Sequence, residues 1–410
     1  MSTLAYLPQA TPVRPAPRPA DPHELSAYCR GLFAVLPRSD QRRWGEVYVR
    51  GLLEAPGRKT PSTISAHVLG RPAVQQLQQF IGQSPWECGP VRRYVADRCA
   101  QEQPPRAWCV DEAVITKSGD RSVGVARQFA PSQERTVNCQ LALVTSLVSA
   151  DGAGVPVNWR LVLPQRWDTD ESLRKGAHLP QEERCRPRWR YVVEALDEML
   201  DDWGLTPAPV LADWRHDTEV EPLLYGLEAR GLGYVIEVSG AVGAALPRPS
   251  ATTGRRYGTL AELAEQAACA GPATGVRRQL MWPDPHTGRS RQSQFLTLPV
   301  VLGGAAEPVR LRAAPRHLVV DWPYGRPAPR SYRLTNLPPR RLAETVALAH
   351  LREPARAALT RLQDHHGLND FEGRSFRGWH HHATLASAAL GFTSLHGERD
   401  TGDRRERGAV

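Results

Sequence analysis

The sequence predicts an α/β protein: a mixed sheet flanked by helices, with an N-terminal helical domain and an inserted β-rich subdomain. Three observations predict it. Residues 24–104 carry apolar positions at three-to-four spacing. Residues 105–240 alternate short apolar β-rich runs with amphipathic stretches, the pattern of a mixed sheet covered by helices. Residues 241–339 are rich in Gly, Pro and Arg and hold several short strand candidates.

Residues 1–23 read as a disordered Pro/Ala/Arg leader, without the charged and then apolar order of a secretory signal. In 24–104, LSAYCRGLFAVL, WGEVYVRGLLEA and AVQQLQQFIGQ are helical, and Pro61-Ser62-Thr63 offers turn and cap chemistry between them. RAWCVDEAVIT is a strand, and LALVTSLVSA and VPVNWRLVLP flank Asp151-Gly152 as a hairpin. RWRYVVEALDEMLDDWG is a helix closing at Gly204, APVLADW a buried strand, EVEPLLYGLEARG a helix and YVIEVSG a strand. The insertion offers RRQLMW, QFLTLPVVL, HLVVDWPY and SYRLTN as strands. Residues 340–396 turn helical with a break around His366–Phe376, and 397–410 form a charged tail.

Composition narrows the function. The formal net charge is +9, which favours a polyanionic partner such as nucleic acid. Lysine occurs only at Lys59, Lys117 and Lys175, so part of this arginine bias is what a GC-rich genome produces. The seven cysteines are scattered, with no CxxC pair and no zinc spacing, as expected for reduced thiols in the cytoplasm. No apolar run reaches the roughly 18–20 residues of a membrane helix. Walker A, dinucleotide-fold and nucleophile-elbow motifs are missing.

Two acids end predicted strands: Asp111, followed by Glu112, and Asp213, followed by Asp217 and Glu219. Carboxylates on neighbouring strands can share a hard divalent cation. The plain alternative is strand ends running into turns, with Asp217 and Glu219 capping the next helix. His380-His381-His382 stands near Arg374 and Arg377. Adjacent helical residues diverge, so the run favours a polar face against DNA or another domain over a zinc site.

Several blocks together resemble one family. GLLEAPGRKTPSTISA, LQQFIGQSPWE, VDEAVITKSGDRSVGVARQF, VNCQLALV, LVLPQRW, VLADWRHDTEVEPLLYGLEARGLGYVIEV, YRLTNLP and GLNDFEGRSFRGWHHHATL occur in family order over roughly residues 25–395. They are similar to bacterial insertion-sequence transposases of the Asp-Asp-Glu (DDE) type. That resemblance implies a ribonuclease-H-like core with a β insertion before the last helix. It implies Mg²⁺ or Mn²⁺ ions held by two Asp and one Glu, double-stranded DNA as partner, and DNA cleavage followed by strand transfer. Asp111 and Asp213 match the first two acids. Arg374, Arg377 and His380 fall in the C-terminal block, where contacts to DNA are expected. The resemblance also implies a cytoplasmic, nucleoid-associated protein; it leaves assembly open, a homodimer being one reading.

The departures from the family pattern are specific. Its Asp-x-Thr is Asp111-Glu112-Ala113 here, and its small-residue turn after the second acid is Trp214-Arg215-His216. Its Trp-Arg-x-Glu aligns with Glu353-Pro354-Ala355-Arg356, and Gln363 takes the position of its lysine. Proline inside a helix costs roughly 3 kcal/mol but is tolerated in the first turn, so this helix is expected to start near Pro354. Arg356 in the acid position would repel a metal, or form a salt bridge with Asp111 or Asp213 in its place. Glu353 is the one nearby substitute, displaced about 4.5 Å along the axis. The reading that follows is a DNA-binding, transposase-like protein with impaired chemistry and no metal. Two alternatives stay open: an active enzyme using Mg²⁺ or Mn²⁺ with Glu353 as displaced acid, and a domesticated fold with a non-DNA catalytic or ligand-binding role.

Overall fold

The computed structural model describes residues 5–6, 21–247, 257–269, 276–283, 289–303 and 316–396. It is a mixed α/β structure, as the sequence predicts, and the chain forms two compact units. One, the sheet unit, comprises Met1–Val13, Arg106–Val110 and Pro207–Glu353; the other, the helical unit, comprises Arg14–Pro105, Asp111–Thr206 and Pro354–Val410.

The helical unit begins with α1 (Pro22–Leu32), α2 (Ser39–Glu54), α3 (Pro61–Leu69), α4 (Val74–Gly82) and α5 (Cys88–Glu102). Local chemistry sets their starts. Asp21 caps α1 by accepting from the His23 amide at 2.8 Å, with Pro22 in the first turn. Thr60 and Thr63 form a reciprocal capping box on α3, confirming the turn read at Pro61. Strand β2 (Pro105–Thr116) gives its second half to this unit, with β3 (Ala126–Ala130), β4 (Arg135–Ser149) and β5 (Gly154–Val162). β4 and β5 are the antiparallel hairpin expected around Asp151-Gly152. Helices α6 (Arg166–Thr169), α7 (Glu171–Gly176) and α8 (Arg188–Asp197) follow, and α8 runs into a π turn at Glu198–Asp202 before Gly204.

In the sheet unit, the first half of β2 pairs in parallel with β6 (Val210–Trp214), and β6 with β7 (Tyr234–Val238). Helix α9 (Val220–Ala229) connects β6 and β7. Past them come β8 (Gly243–Ala245), β9 (Tyr257–Thr259), α10 (Leu260–Cys269), β10 (Val276–Pro283), β11 (Ser290–Leu302), β12 (Arg316–Trp322) and β13 (Ser331–Thr335). β10 to β13 form an antiparallel meander, and β13 pairs with β7, so the inserted strands extend the same sheet. The composition of the insertion had signalled strands only, whereas LAELAEQAAC forms α10. Helix α11 (Leu342–His350) covers the sheet, its Leu342 and Val346 packing on Leu280, Trp282, Phe295 and Val319. Arg316, almost fully buried, grips Glu228 of α9 through two hydrogen bonds of 2.7 and 2.9 Å.

Although the leader reads as disordered, Ala5–Tyr6 form a short strand β1, parallel to Leu280–Met281 of β10. The rest of the leader up to Ala20, and the charged tail 397–410, lie outside the described residues. No helix among the described residues is long and apolar enough to cross a membrane.

The chain ends with α12 (Arg352–Asp364) and α13 (Phe376–His396). α12 starts two residues before Pro354, which stays within the tolerated first turn. α13 is buried from Gly378 to Phe392 except at His380, and packs on α2, α4, α5 and β5. Its polar groups are matched inside. Tyr28 donates to the Ala388 carbonyl at 3.1 Å, and the Trp159 indole donates to Ser387 at 2.8 Å. Of the two partners read for the histidine run, DNA or another domain, His381 and His382 meet the second, being buried against the N-terminal helices. His381 stacks on Trp86, its ring nitrogens each 2.8 Å from a carbonyl oxygen, of Ile81 and of Trp86. His382 lies between the Tyr48 hydroxyl and the Gly367 carbonyl, 2.9 Å from each. The pattern fits a neutral His382: Tyr48 donates to Nδ1, and Nε2–H donates to Gly367.

Burial pushes the pKa of His366, His381 and His382 down to about 4. In the unfolded chain these rings take up protons near the ordinary value of ~6.5. The unfolded state therefore binds more protons between these values, and stability falls as the pH drops through that window. The urea midpoint should decline from pH 6.5 to pH 4. His382→Gln, which keeps a donor for Gly367 but cannot titrate, should flatten that decline. An unchanged slope in the variant would rule His382 out as a contributor.

Candidate functional site

Asp213 closes β6 and is the Cα partner of Glu237 on β7; Glu237 in turn partners Arg333 on β13. Three adjacent strands thus carry a row of carboxylate, carboxylate and guanidinium. Two neighbouring carboxylates repel unless cations compensate. Three arginines do so. Arg215 grips Asp213 in a fork, Nε to Oδ1 at 2.9 Å and Nη2 to Oδ2 at 2.8 Å, and its Nε lies 3.4 Å from Glu237. Arg333 approaches Glu237 to 3.5 Å. Arg352, at the start of α12 and only 9% exposed, reaches Asp213 at 3.6 Å and Glu237 at 3.7 Å. Burial alone would raise the Asp213 pKa. The Arg215 hydrogen bonds and the Arg352 charge outweigh it and hold the carboxyl down at about 2.

The cluster explains one departure read in the sequence. Where the family turn has small residues, Arg215 supplies a fork that closes on the acid two positions before it. Within the sheet unit the cations at Asp213 are Arg215 and Arg352; the Arg356 side chain of the helical unit is exposed and makes no ion pair among the described residues. α12 turns Ala355, Ala358, Leu359 and Leu362 inward. A Cβ at Gly154 would come within 3.3 Å of the Ala355 Cα and 3.2 Å of the Ala358 Cβ, so small residues fix which face of α12 packs. Arg356 points away from that face. Gln363, at the family's lysine position, donates to the Val114 carbonyl at 3.1 Å. Glu353 is exposed.

In β2, Val110 pairs with Ala212, and Asp111 is the next residue of the chain. Asp111 is buried, 7% exposed. Glu112 is committed to structure: it takes a 2.6 Å contact from Arg188 of α8 and accepts from the Ser132 amide and hydroxyl at 3.2 and 3.0 Å.

A divalent metal of this kind needs several carboxylate oxygens free to converge on one point. Among the described residues, no group of three or more His, Cys, Asp or Glu is arranged to hold a metal ion. Asp213 and Glu237 are adjacent, but three guanidiniums already satisfy them. The residues present do not fit a carboxylate-held Mg²⁺ or Mn²⁺ centre.

The Gly367–Leu385 segment has a different task. Gly367 adopts φ +69°, and a Cβ there would lie 2.5 Å from the Lys59 Cβ. Asp370 accepts from the Lys59 amide at 2.8 Å, and Glu372 pairs with Arg58 at 3.1 Å. Lys117 donates to the Phe371 carbonyl at 2.7 Å, and the Val123 amide to that of Arg374 at 3.1 Å. Arg374 and Arg377 are exposed, while His380 is half-buried and accepts from Arg92 at 2.9 Å. Sequence reading missed Glu237, Arg333 and Arg352. The readable signals were a glutamate inside the apolar YVIEV and an arginine inside YRLTN.

A family profile described as DDE superfamily endonuclease matches residues 31–294. No curated protein matches the chain.

Two outcomes follow. Arg215→Ala should raise the Asp213 pKa toward the ordinary carboxylate value of ~3.9, read by carbon-detected NMR titration; a value still near 2 would mean Arg352 alone holds it. The Arg215 pair is partly exposed, so the stability loss should not exceed ~1 kcal/mol. Asp370→Ala should cost about 1–3 kcal/mol in urea unfolding, because the Lys59 amide and Arg58 lose their acceptor. Wild-type stability in that variant would deny the segment its structural task.

Proposed function

We infer the function from one premise: the chain belongs to the DDE superfamily endonucleases. On that premise we propose a double-stranded DNA-binding, transposase-like protein whose metal-dependent cleavage and strand transfer are impaired. The observation that carries this reading is the Asp213 carboxylate, held by Arg215 and Arg352 beside Glu237 and Arg333. A carboxylate must offer its oxygens to bind a metal, and here they are turned to guanidiniums. The helix expected to bring the third acid carries Arg356 instead, with Gln363 in place of lysine. Asp111 and Asp213 remain as the two matching acids.

DNA contact rests on charge and exposure. The chain carries +9, almost all of its cations are arginine, and Arg374 and Arg377 stand exposed. Such arginines bind phosphates and set position rather than sequence preference. Affinity should therefore fall steeply with salt.

The test is a duplex-cleavage assay with Mg²⁺ and Mn²⁺, run beside a gel-shift titration in salt. The wild-type chain should bind and leave the DNA uncut. Cutting that disappears in Asp213→Asn would overturn the impaired-site reading. A variant combining Arg215→Ala and Arg352→Gln, which frees the oxygens of Asp213 and Glu237, should gain Mn²⁺ binding, seen in Mn²⁺ relaxation, before any cutting.

A further inference from the structure

Within the helical unit, a cavity of about 710 Å³ opens beside the start of α5 and the start of α13. Its lining carries charges of both signs. Arg186 is matched by Glu194 at 2.8 Å and Glu183 at 3.6 Å, and Arg160 by Glu198 at 2.7 Å. Arg92, Arg377 and His380 line it as well.

Arg92 is 4% exposed, and its guanidinium meets only neutral acceptors: the Thr384 hydroxyl at 2.8 Å, the Trp159 carbonyl at 3.2 Å and His380 Nδ1 at 2.9 Å. Among the described residues, no carboxylate lies within 4.0 Å of Arg92 or of Arg377. The Glu198 charge acts on Arg92 from beyond ion-pair distance, so the guanidinium is buried with no carboxylate in contact, and a cavity against it gives a second anion access. Because His380 accepts at Nδ1, its ring proton sits on Nε2, a further donor. Burial and the neighbouring Arg92 keep that ring neutral. Arg377 adds a guanidinium in the first turn of α13, where the helix dipole also favours negative charge. Arg92, Arg377 and His380 thus offer donors to the cavity, Glu182, Glu183, Glu194 and Glu198 offer acceptors in the same lining, and the volume is that of a small-molecule site.

We propose that this cavity is a phosphate-binding site: Arg92, Arg377 and the His380 Nε2–H receive the phosphate oxygens, and the lining glutamates receive hydroxyl or amino groups of the molecule that bears it. The phosphate comes either from a free phosphate monoester or from a nucleic-acid backbone reaching the mouth. The site does not depend on the state of the Asp213 cluster.

Inorganic phosphate titrated into the full chain by calorimetry, against chloride at equal ionic strength, tests it. Saturable one-to-one binding is expected. Arg377→Ala, at the exposed mouth and safe for folding, should weaken it about tenfold or more. His380→Gln, which retains an N–H, should weaken it less than His380→Leu. A missing saturable signal in the folded wild type would overturn the proposal, as would equal affinity in wild type, Arg377→Ala and His380→Leu. Competition by a short duplex assigns the phosphate to nucleic acid; its failure assigns it to a free monoester. Cleavage activity by the wild type would undo the impaired-site reading and leave this result standing.

Discussion

Parallel pairing of β6 with β7 sets Asp213 directly beside Glu237, and the local chemistry of the sheet unit follows from that register. Two like charges ~5 Å apart repel by about 3 kcal/mol at an effective dielectric of ~20. Something positive must sit against them, or one must take a proton. A pair of divalent ions is the solution associated with acid clusters that cut nucleic acids. This chain uses guanidiniums from a turn, a neighbouring strand and a helix start. Arginine brings its own hydrogen-bond fork, so it neutralises and also orients. The same register that suits metal chemistry thus suits a salt-bridge cluster, and the side chains on the next elements decide between them.

Much of the fold was legible because local signals and tertiary packing agree. The β4–β5 hairpin followed from apolar runs around Asp151-Gly152, and β6, α9 and β7 from alternating periodicity. The site was less legible, for geometric reasons. Counting back from FEGR put attention on Arg356, but one helical turn decides whether a side chain faces the sheet or the solvent. That facing depends on Gly154, roughly two hundred residues away in sequence, and no local pattern reports it. The histidine run left two partners open for a related reason. Polar residues at consecutive helical positions do not say whether DNA or protein meets them until nonlocal partners are known. Here the partners are Tyr48 and the carbonyls of Ile81, Trp86 and Gly367.

The C-terminal signature now has a physical meaning apart from catalysis. Gly367 permits a close approach to Lys59, Asp370 receives its amide, and His382 bridges Tyr48 to the Gly367 carbonyl. These contacts join the start of the helical unit to its last helix. A chain can carry the segment for folding whether or not it cuts DNA, so the segment identifies the architecture and leaves the reaction to the residues around the acids.

The short strand β1 carries a consequence of another kind. It covers part of the outer edge of β10, an eight-residue strand that is otherwise next in line at the margin of the sheet. Exposed strand margins recruit other strands and drive aggregation. Recombinant chains trimmed at the front for convenience would lose that cover. Solubility during expression, rather than anything at the acids, would then be the first property to suffer.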